Sequence, residues 1–162
     1  MITESGGEKP YVVANTPRAL AGLAQMNTIE LHAWNATADD VECADMLVFD
    51  FDPDPALPFG AVAEAALHCR ALLSSLGLAS FAKTTGGKGL HVVVPIRPTH
   101  DWDVARGFAK GEVDLLVRAA PERFTAKLAK SGRGGKILLD YLRNAEGATA
   151  VAAYSVRARA NA

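Results

Sequence analysis

Residues 46–53 read MLVFDFDP, an apolar run that ends in two acids spaced by one residue. The run predicts a β-strand, in which side chains alternate faces, so Asp50 and Asp52 share one face and the two phenylalanines take the other. Neighbouring carboxylates repel each other unless a positive group, such as a divalent cation, neutralises them. Pro53 cannot donate to a strand ladder, which predicts that the acids lie where the sheet ends. From this stretch alone, an ordinary structural turn is an equally good interpretation.

The composition is typical of a globular protein with a substantial core. The chain has 162 residues, of which 49% are hydrophobic and 22% are charged, and this predicts one domain over residues 1–162. No run approaches the roughly 18 apolar residues of a membrane span, and the first ten residues are polar, so we expect a cytoplasmic protein without a membrane partner. Cys43 and Cys69 lack zinc-site spacing and are predicted to be reduced.

The charge is unevenly distributed along the chain. The net charge is -1, which argues against a uniformly basic surface for nucleic acid. From Arg123 onward, however, eight basic residues stand against two acidic ones. That balance suits a polyanionic partner on one side of the domain. For Lys127 and Lys130 alone, a solvated face is the simpler interpretation.

The hydrophobic periodicity predicts an α+β or mixed α/β domain with one sheet. Of the two, we favour the α+β class, with a mixed or antiparallel sheet flanked by two long helices. The N-terminal half is predicted to contain strands at 11–14, 29–34 and 46–53, and helices at 17–26, capped by Thr16, and at 59–76, with Leu76 in its apolar stripe. The C-terminal half is predicted to contain strands at 79–84, 90–96, 136–142 and 149–156, and helices at 101–119 and 122–129.

A glycine-rich segment, Thr85-Gly86-Gly87-Lys88-Gly89, connects two of the predicted strands. Glycines let the backbone approach a ligand closely, and amide groups in such a loop can receive phosphate oxygens. The spacing is not that of a Walker A loop, so the loop alone is weak evidence. The hydroxyl of Thr85, the ammonium of Lys88 and the imidazole of His91 strengthen the prediction of a phosphate site.

Two further features point to the same chemistry. Asp140 is a third carboxylate within an apolar strand, and Arg157 and Arg159 would share a face if the last strand continues. Paired guanidiniums repel unless an anion bridges them, and phosphates accept their forked donors well. Three carboxylates, a phosphate loop and paired arginines are the parts of two-metal phosphoryl or nucleotidyl transfer. Strict alternation puts Arg143 opposite Asp140, so both serve one site only if the strand ends or bends near Leu142.

Four segments together resemble a known family. They are QMNTIELHAWN, DMLVFDFDPDP, TGGKGLHVVVPI, and KILLDYLRN with the following AVAAYSVRAR. In order and spacing they are similar to the primase-polymerase domain of bacterial ATP-dependent DNA ligase D, a branch of the archaeo-eukaryotic primase superfamily, over about residues 10–160. Members usually carry a long region before the first segment that helps to hold DNA. The resemblance therefore leads us to expect a catalytic core that lacks this region.

The resemblance also implies roles for individual residues. Asp50, Asp52 and Asp140 match the family's catalytic metal ligands, for Mn²⁺ or Mg²⁺ in a two-metal site. Thr85 stands where a serine is usual in the nucleotide loop. The matched nucleotide-binding positions are His32 near the sugar, His91 at the phosphates, and Arg143, Arg157 and Arg159. The implied partners are a nucleoside triphosphate, a DNA primer-template or DNA end, and Ku and a DNA ligase.

The sequence thus predicts a nucleotidyltransferase that adds ribo- or deoxyribonucleotides to a primer end during non-homologous end joining. One alternative is a non-catalytic module of the same fold that binds nucleotides or DNA ends. A less favoured alternative reads residues 50–54 as the loop of an aspartate-nucleophile phosphatase with Asp50 as the nucleophile. That chemistry wants Thr or Val where Asp54 stands, and a doubly wound sheet.

Overall fold

The computed structural model describes residues 2–4, 7–129 and 133–159. In chain order, its elements are β1 (Ile2–Glu4), β2 (Gly7–Lys9), α1 (Pro17–Gln25), β3 (His32–Trp34), β4 (Met46–Pro53), α2 (Phe59–Ser75), β5 (Phe81–Thr84), β6 (Leu90–Pro95), α3 (Trp102–Ala119), β7 (Phe124–Thr125), β8 (Ile137–Asp140), a 3₁₀ turn (Leu142–Asn144) and β9 (Thr149–Val151). No helix among the described residues is both long and apolar enough to cross a bilayer.

Five of these strands form the central sheet, in the order β5-β6-β4-β8-β7. The middle strand β4 is antiparallel to both of its neighbours, whereas β7 runs parallel to β8. Two small ribbons, β1 with β2 and β3 with β9, stand apart from it. The α+β class with a mixed, largely antiparallel sheet is confirmed, but the described strands form more than the one sheet that was predicted.

The core lies between one face of the central sheet and the helices α2 and α3. The alternation of β4 sends its apolar side chains into this layer, in register with apolar residues of β6 and β8. The buried members contributed by these three strands are Leu47, Phe49, Phe51, Leu90, Val92, Val94, Ile137 and Leu139. Because this face is filled by the core, the polar residues of β4 must point to the opposite face.

The two long helices and α1 form close to their predicted positions. Thr16 Oγ1 accepts a hydrogen bond from the Ala19 amide at the start of α1, and Asp101 caps α3 in the same way. The apolar stripe of α2 is buried as predicted as far as Leu73. Leu76 lies beyond the end of α2 and is 52% exposed, so its placement in the core was wrong. Gly77 follows with φ of 77°, a conformation that ends helices readily.

Two predicted N-terminal strands differ from the structure. Residues 11–14 are not part of a strand, although Tyr11 packs edge-on against Trp34 with ring centroids 5.1 Å apart. The predicted strand 29–34 is reduced to His32–Trp34. An apolar run becomes a strand only where another strand offers matching amides and carbonyls. β9 offers that edge to three residues of the segment.

The C-terminal elements are shorter than predicted. The helix expected at 122–129 is wrong, because Phe124–Thr125 instead forms β7 and pairs with β8. This edge pairing overrides a weak local helix preference. β8 ends at Asp140, so Leu142 does not share its face, and β9 ends at Val151. Lys130, for which a solvated face was the simpler interpretation, lies outside the described residues.

Glu112 on α3 gives a test of the core through pH. The residue is 5% exposed and its Oε2 has no described hydrogen-bond partner, and burial raises the pKa of Glu112. A raised folded-state pKa stabilises the fold below the unfolded pKa, and that contribution is lost as the pH rises through the folded pKa. We expect Glu112→Gln to raise the free energy of unfolding at pH 8 by about 1 kcal/mol and to have little effect near pH 4.

Urea denaturation at the two pH values measures this difference. Glu64→Gln is the matched control, because Glu64 is exposed and lies 3.2 Å from Arg123, so no gain at pH 8 is expected. Equal gains for Glu112→Gln at both pH values would contradict the assignment of a buried charge.

Candidate active site

A row of polar side chains crosses the central sheet at the middle of β4. Asp50 pairs in register with His91 of β6 on one side and with Asp140 of β8 on the other. His91 pairs in turn with Lys83 of β5, which completes the row. Residues paired directly across strands point to the same face, and Asp52 joins that face two positions along β4. Asp50 therefore lies within the sheet, not at its end as Pro53 had suggested.

The Asp50 carboxylate is largely enclosed, with 15% of its side chain exposed. Its Oδ2 lies 3.4 Å from Arg143 Nη2 and 3.5 Å from His91 Nε2. Burial acts to raise the pKa of Asp50, but the contacts with His91 and the Arg143 charge outweigh it and hold the pKa below its ordinary value. Asp50 is consequently ionised at neutral pH, as a ligand for a cation must be.

The other two carboxylates have different surroundings. Asp52 has a side chain that is 58% exposed, and its Oδ2 lies 3.4 Å from Arg133 Nη1. Asp140 Oδ1 accepts a hydrogen bond of 2.7 Å from the Leu142 amide. This bond turns the chain immediately after β8, since an aspartate that binds the amide two residues on stabilises a turn. Asp52 thus faces solvent, and Asp140 also helps to end its own strand.

Arg143 reaches the site because β8 stops before it. The 3₁₀ turn that follows Asp140 reverses the strand alternation, and the Arg143 guanidinium approaches Asp50 and the Thr149 carbonyl, each at 3.4 Å. The condition stated from the sequence, that the strand ends near Leu142, is met. Asp140 and Arg143 therefore both lie beside Asp50 despite their odd spacing.

The fully buried side chain of Asn144 holds this turn against β4. Its Nδ2 donates to the Val48 carbonyl at 2.8 Å, and its Oδ1 accepts from the Val48 amide at 2.7 Å. Val48 is the position on β4 at which β8 pairing would continue beyond Asp50 and Asp140. The side-chain amide replaces the missing strand residue, so the turn forms without leaving buried backbone groups unpaired.

The glycine loop requires two of its glycines for packing. A Cβ at Gly89 would lie 2.8 Å from the Phe51 carbonyl oxygen, so only glycine lets the loop close against β4. Gly86 has φ of 66°, and a Cβ there would clash with the Arg157 side chain. The Thr85 hydroxyl, predicted to contact phosphate, donates to the Gly89 carbonyl at 3.0 Å and so helps to close the loop.

Arg157 and Arg159 lie against this loop although β9 ends well before them. The continued strand that was to align them is absent, and Tyr154, with φ of 63°, lies in the segment that separates them from β9. Arg157 packs on Gly86, and the Arg159 guanidinium lies 3.2 Å from where a Cβ on Gly87 would be. Contact with the glycine loop, not strand alternation, brings the pair together.

Glu30 connects the arginines to β3. Its Oε1 lies 2.6 Å from His32 Nε2, and its Oε2 lies 3.2 Å from Arg157 Nε and accepts from the Ala158 amide at 3.1 Å. The contacts with His32 and then with the Ala158 amide lower the pKa of Glu30. The Glu30 carboxylate therefore connects the segment just before β3 to the segment after β9.

Lys83 ties the edge of the central sheet to the β3–β9 ribbon. Its Nζ donates to the Val151 carbonyl at 2.7 Å. Burial lowers the pKa of Lys83, and the nearby Asp50 carboxylate partly opposes that shift. The ribbon is thereby held over the sheet face that carries the acids.

These groups surround an open cavity of about 440 Å³. Nine of the ten predicted site residues line it, and Asp140 lies beside the lining. The predicted members are His32, Asp50, Asp52, Thr85, Lys88, His91, Arg143, Arg157 and Arg159, and the others are Glu30, Gly87, Gly89, Thr149, Ala150 and Val151. Lys88 also donates to the Pro55 carbonyl at 3.2 Å, so its ammonium is partly used within the protein.

Several residues of the site were missed from the sequence. Lys83 was detectable, because closing the glycine loop as a hairpin places it opposite His91. Glu30 lies in the segment QMNTIELHAWN, but no role was predicted for it. Arg133 and Asn144 carry no sequence signal that separates them from ordinary turn residues, since their roles depend on contacts with β4.

The donor set suits a hard divalent cation. Asp50, Asp52 and Asp140 supply carboxylate oxygens on one sheet face, the ligand type that Mg²⁺ and Mn²⁺ prefer. Within the described part of the chain, however, no three acidic, His or Cys side chains converge as a ready metal cluster. Asp50 contacts Arg143, Asp52 contacts Arg133, and Asp140 is bound to a backbone amide. The three carboxylates fit the ion by the chemistry of their oxygens and by their shared sheet face.

Asn144→Ala tests how the site is supported. The change leaves the Val48 amide and carbonyl without partners inside the core, so we expect the free energy of unfolding to fall by about 2–4 kcal/mol. Urea denaturation measures the loss. Thr99→Ala, which removes only an exposed hydrogen bond of 3.5 Å, should stay within about 0.5 kcal/mol. Equal effects for the two variants would show that Asn144 does not anchor the turn.

Comparison with known proteins identifies the family of this chain. The family model described as LigD, primase-polymerase domain, matches residues 1–162. The chain is 48% identical over 153 residues to the multifunctional non-homologous end joining protein LigD of Pseudomonas aeruginosa, covering 94% of the chain and 18% of that protein. It is 35% identical over 160 residues to the LigD protein of Mycolicibacterium smegmatis, covering 98% of the chain and 21% of that protein.

A solved structure agrees with the sequence comparisons. The polymerase domain of Mycobacterium tuberculosis ligase D in complex with DNA superposes with a TM-score of 0.80 at 34% identity, covering 87% of the chain and 52% of that domain. The chain spans about a fifth of the length of the curated relatives and about half of the solved domain. From its sequence and fold, the chain belongs to the LigD primase-polymerase domain family.

Proposed function

We propose that this chain is a metal-dependent nucleotidyltransferase that adds ribo- or deoxyribonucleotides to a DNA primer end in non-homologous end joining. The observation that carries the proposal is the register of β4, which sets Asp50 between Asp140 and His91 on the face that carries Asp52. Carboxylates and phosphate-binding cations on one face are what nucleotidyl transfer requires. Membership in the LigD primase-polymerase family supports the same chemistry.

The proposed nucleotide position follows from the charges around the cavity. Arg157, Arg159 and Lys88 lie along the glycine loop, and Asp50 and Asp52 of β4 line the same cavity. A triphosphate between them would accept hydrogen bonds from the guanidinium groups. His32 would then lie near the sugar. His91 Nδ1 is buried without a described protein partner, which is consistent with a bond to a ligand or water.

The proposed metal ligands are Asp50, Asp52 and Asp140. Divalent cations bound there would neutralise phosphate charge and lower the pKa of the primer hydroxyl. Arg143, now beside Asp50, would turn its guanidinium towards the nucleotide, and Arg133 would release Asp52. Asp50 and Asp52 are each paired with an arginine, so the charges of these two carboxylates are balanced before any ligand binds.

The same reasoning disfavours a phosphatase. An aspartate-nucleophile phosphatase needs a doubly wound parallel sheet, whereas β4 is antiparallel to both neighbours. His91 and Arg143 hold the Asp50 carboxylate on either side.

The proposal also includes DNA and protein partners. The solved relative is described in complex with DNA, and its LigD relatives are named for end joining, so we propose a DNA end, a ligase and Ku as partners.

Substitution of the acids tests the metal and nucleotide site. Asp50→Asn and Asp140→Asn remove one charge each while keeping size, so we expect ATP affinity in the presence of Mn²⁺ to fall by more than about 100-fold with the fold retained. Calorimetric titration measures the affinity, and circular dichroism checks the fold. Asp114→Asn, on the exposed part of α3 beside Lys110, is the control and should bind as the wild type does. Unchanged affinity in the site variants would refute the proposed ligands.

Primer extension separates catalysis from binding alone. We expect the chain, with Mn²⁺ and ribonucleotides or deoxyribonucleotides, to lengthen a labelled primer annealed to a template, and Asp140→Asn to abolish the product. Gel electrophoresis resolves each added nucleotide. ATP binding without extension by the wild-type chain would instead support a non-catalytic module that binds nucleotides or DNA ends.

A further inference from the structure

The contacts of Glu30 stand out because a carboxylate lines a cavity proposed to bind phosphates. Glu30 Oε2 lies 3.2 Å from Arg157 Nε and accepts from the Ala158 amide at 3.1 Å. Its Oε1 lies 2.6 Å from His32 Nε2. A negative charge here would repel a polyphosphate directly. If Glu30 supports phosphate binding, it must contribute something that offsets this repulsion.

That contribution is visible in the surroundings of Arg157. The side chain is 12% exposed, its stem packs on Gly86, and Glu30 is the acid beside its Nε. The Nε is buried and forms an ion pair with Glu30 Oε2, but the two atoms do not meet hydrogen-bond geometry. An arginine fixed in this way loses little side-chain entropy when an anion binds to its remaining donors.

We propose that Glu30 is a positioning residue that holds Arg157, and the segment that carries Arg159, in place for the phosphates of the nucleotide. This inference rests on the proposed function, because it assigns the anion to the same cavity. Pre-organisation of Arg157 outweighs the repulsion between the Glu30 carboxylate and the phosphates.

A double-mutant cycle distinguishes the two effects. We expect Glu30→Ala to weaken ATP binding in the presence of Mn²⁺ about 10-fold in the wild-type background, and to change it less than about twofold in an Arg157→Ala background. Calorimetric titration gives the four affinities. Glu64→Ala is the matched control, because Glu64 does not line the cavity and its Oε1 forms an ion pair of 3.2 Å with Arg123 Nη2. This variant should leave the ATP affinity within about twofold.

Other outcomes of the cycle overturn the proposal. Stronger ATP binding by Glu30→Ala would show that repulsion dominates. An equal loss in both backgrounds would show that Glu30 acts independently of Arg157. Glu30→Gln refines the result, since it keeps the size of the side chain and a hydrogen bond to the Ala158 amide but removes the ion pair, and it should show an intermediate loss.

A measurement without ligand separates failure of this inference from failure of the proposed function. The Arg157 Nε–H signal in a nitrogen-15 NMR spectrum, assigned by its loss in Arg157→Lys, should exchange slowly with water in the wild type and rapidly in Glu30→Ala. Rapid exchange in both would overturn the anchoring role. If the wild-type chain binds no ATP, the proposed function fails, and this signal alone decides whether Glu30 holds Arg157.

Discussion

The antiparallel register of β4 with β6 and β8 is the constraint on which the rest of the structure depends. Phe49 and Phe51 must be buried against α2 and α3, and alternation then sends Asp50 to the opposite face. A shift of one residue in the pairing would bury the acids and expose the phenylalanines, so the core excludes it. The hydrophobic layer thereby determines the position of the polar row on the other side.

Arg143 can reach this polar row only because β8 ends at Asp140 and a 3₁₀ turn follows. Asp140 turns the chain after β8, and Asn144 takes over the hydrogen bonds that β8 gives up. The Asn144 side chain pairs with the Val48 backbone where β8 would otherwise have continued, and this leaves Arg143 free to approach Asp50. Buried backbone groups that lose one partner need another, so the turn and its asparagine form one structural unit.

The remaining positive groups arrive from the β3–β9 ribbon. Lys83 ties β9 to the edge of the central sheet, and Glu30 ties β3 to Arg157. Each contact joins residues that are far apart in the sequence. The family relationship and the acids and arginines gathered around one cavity are the two observations that support the proposed function.

The sequence by itself determined the parts whose signals are local. Alternation in residues 46–53, the helical stripes of α2 and α3, and nine of the ten predicted residues now found around the cavity were all evident from spacing, residue type and resemblance. Tertiary structure alone decided the rest: the contact of Asn144 with Val48, the β7 strand in place of a helix, and the Glu30 and Lys83 contacts. These depend on which partner a backbone amide or charged group meets, and such partners lie many residues away, beyond the reach of any local pattern.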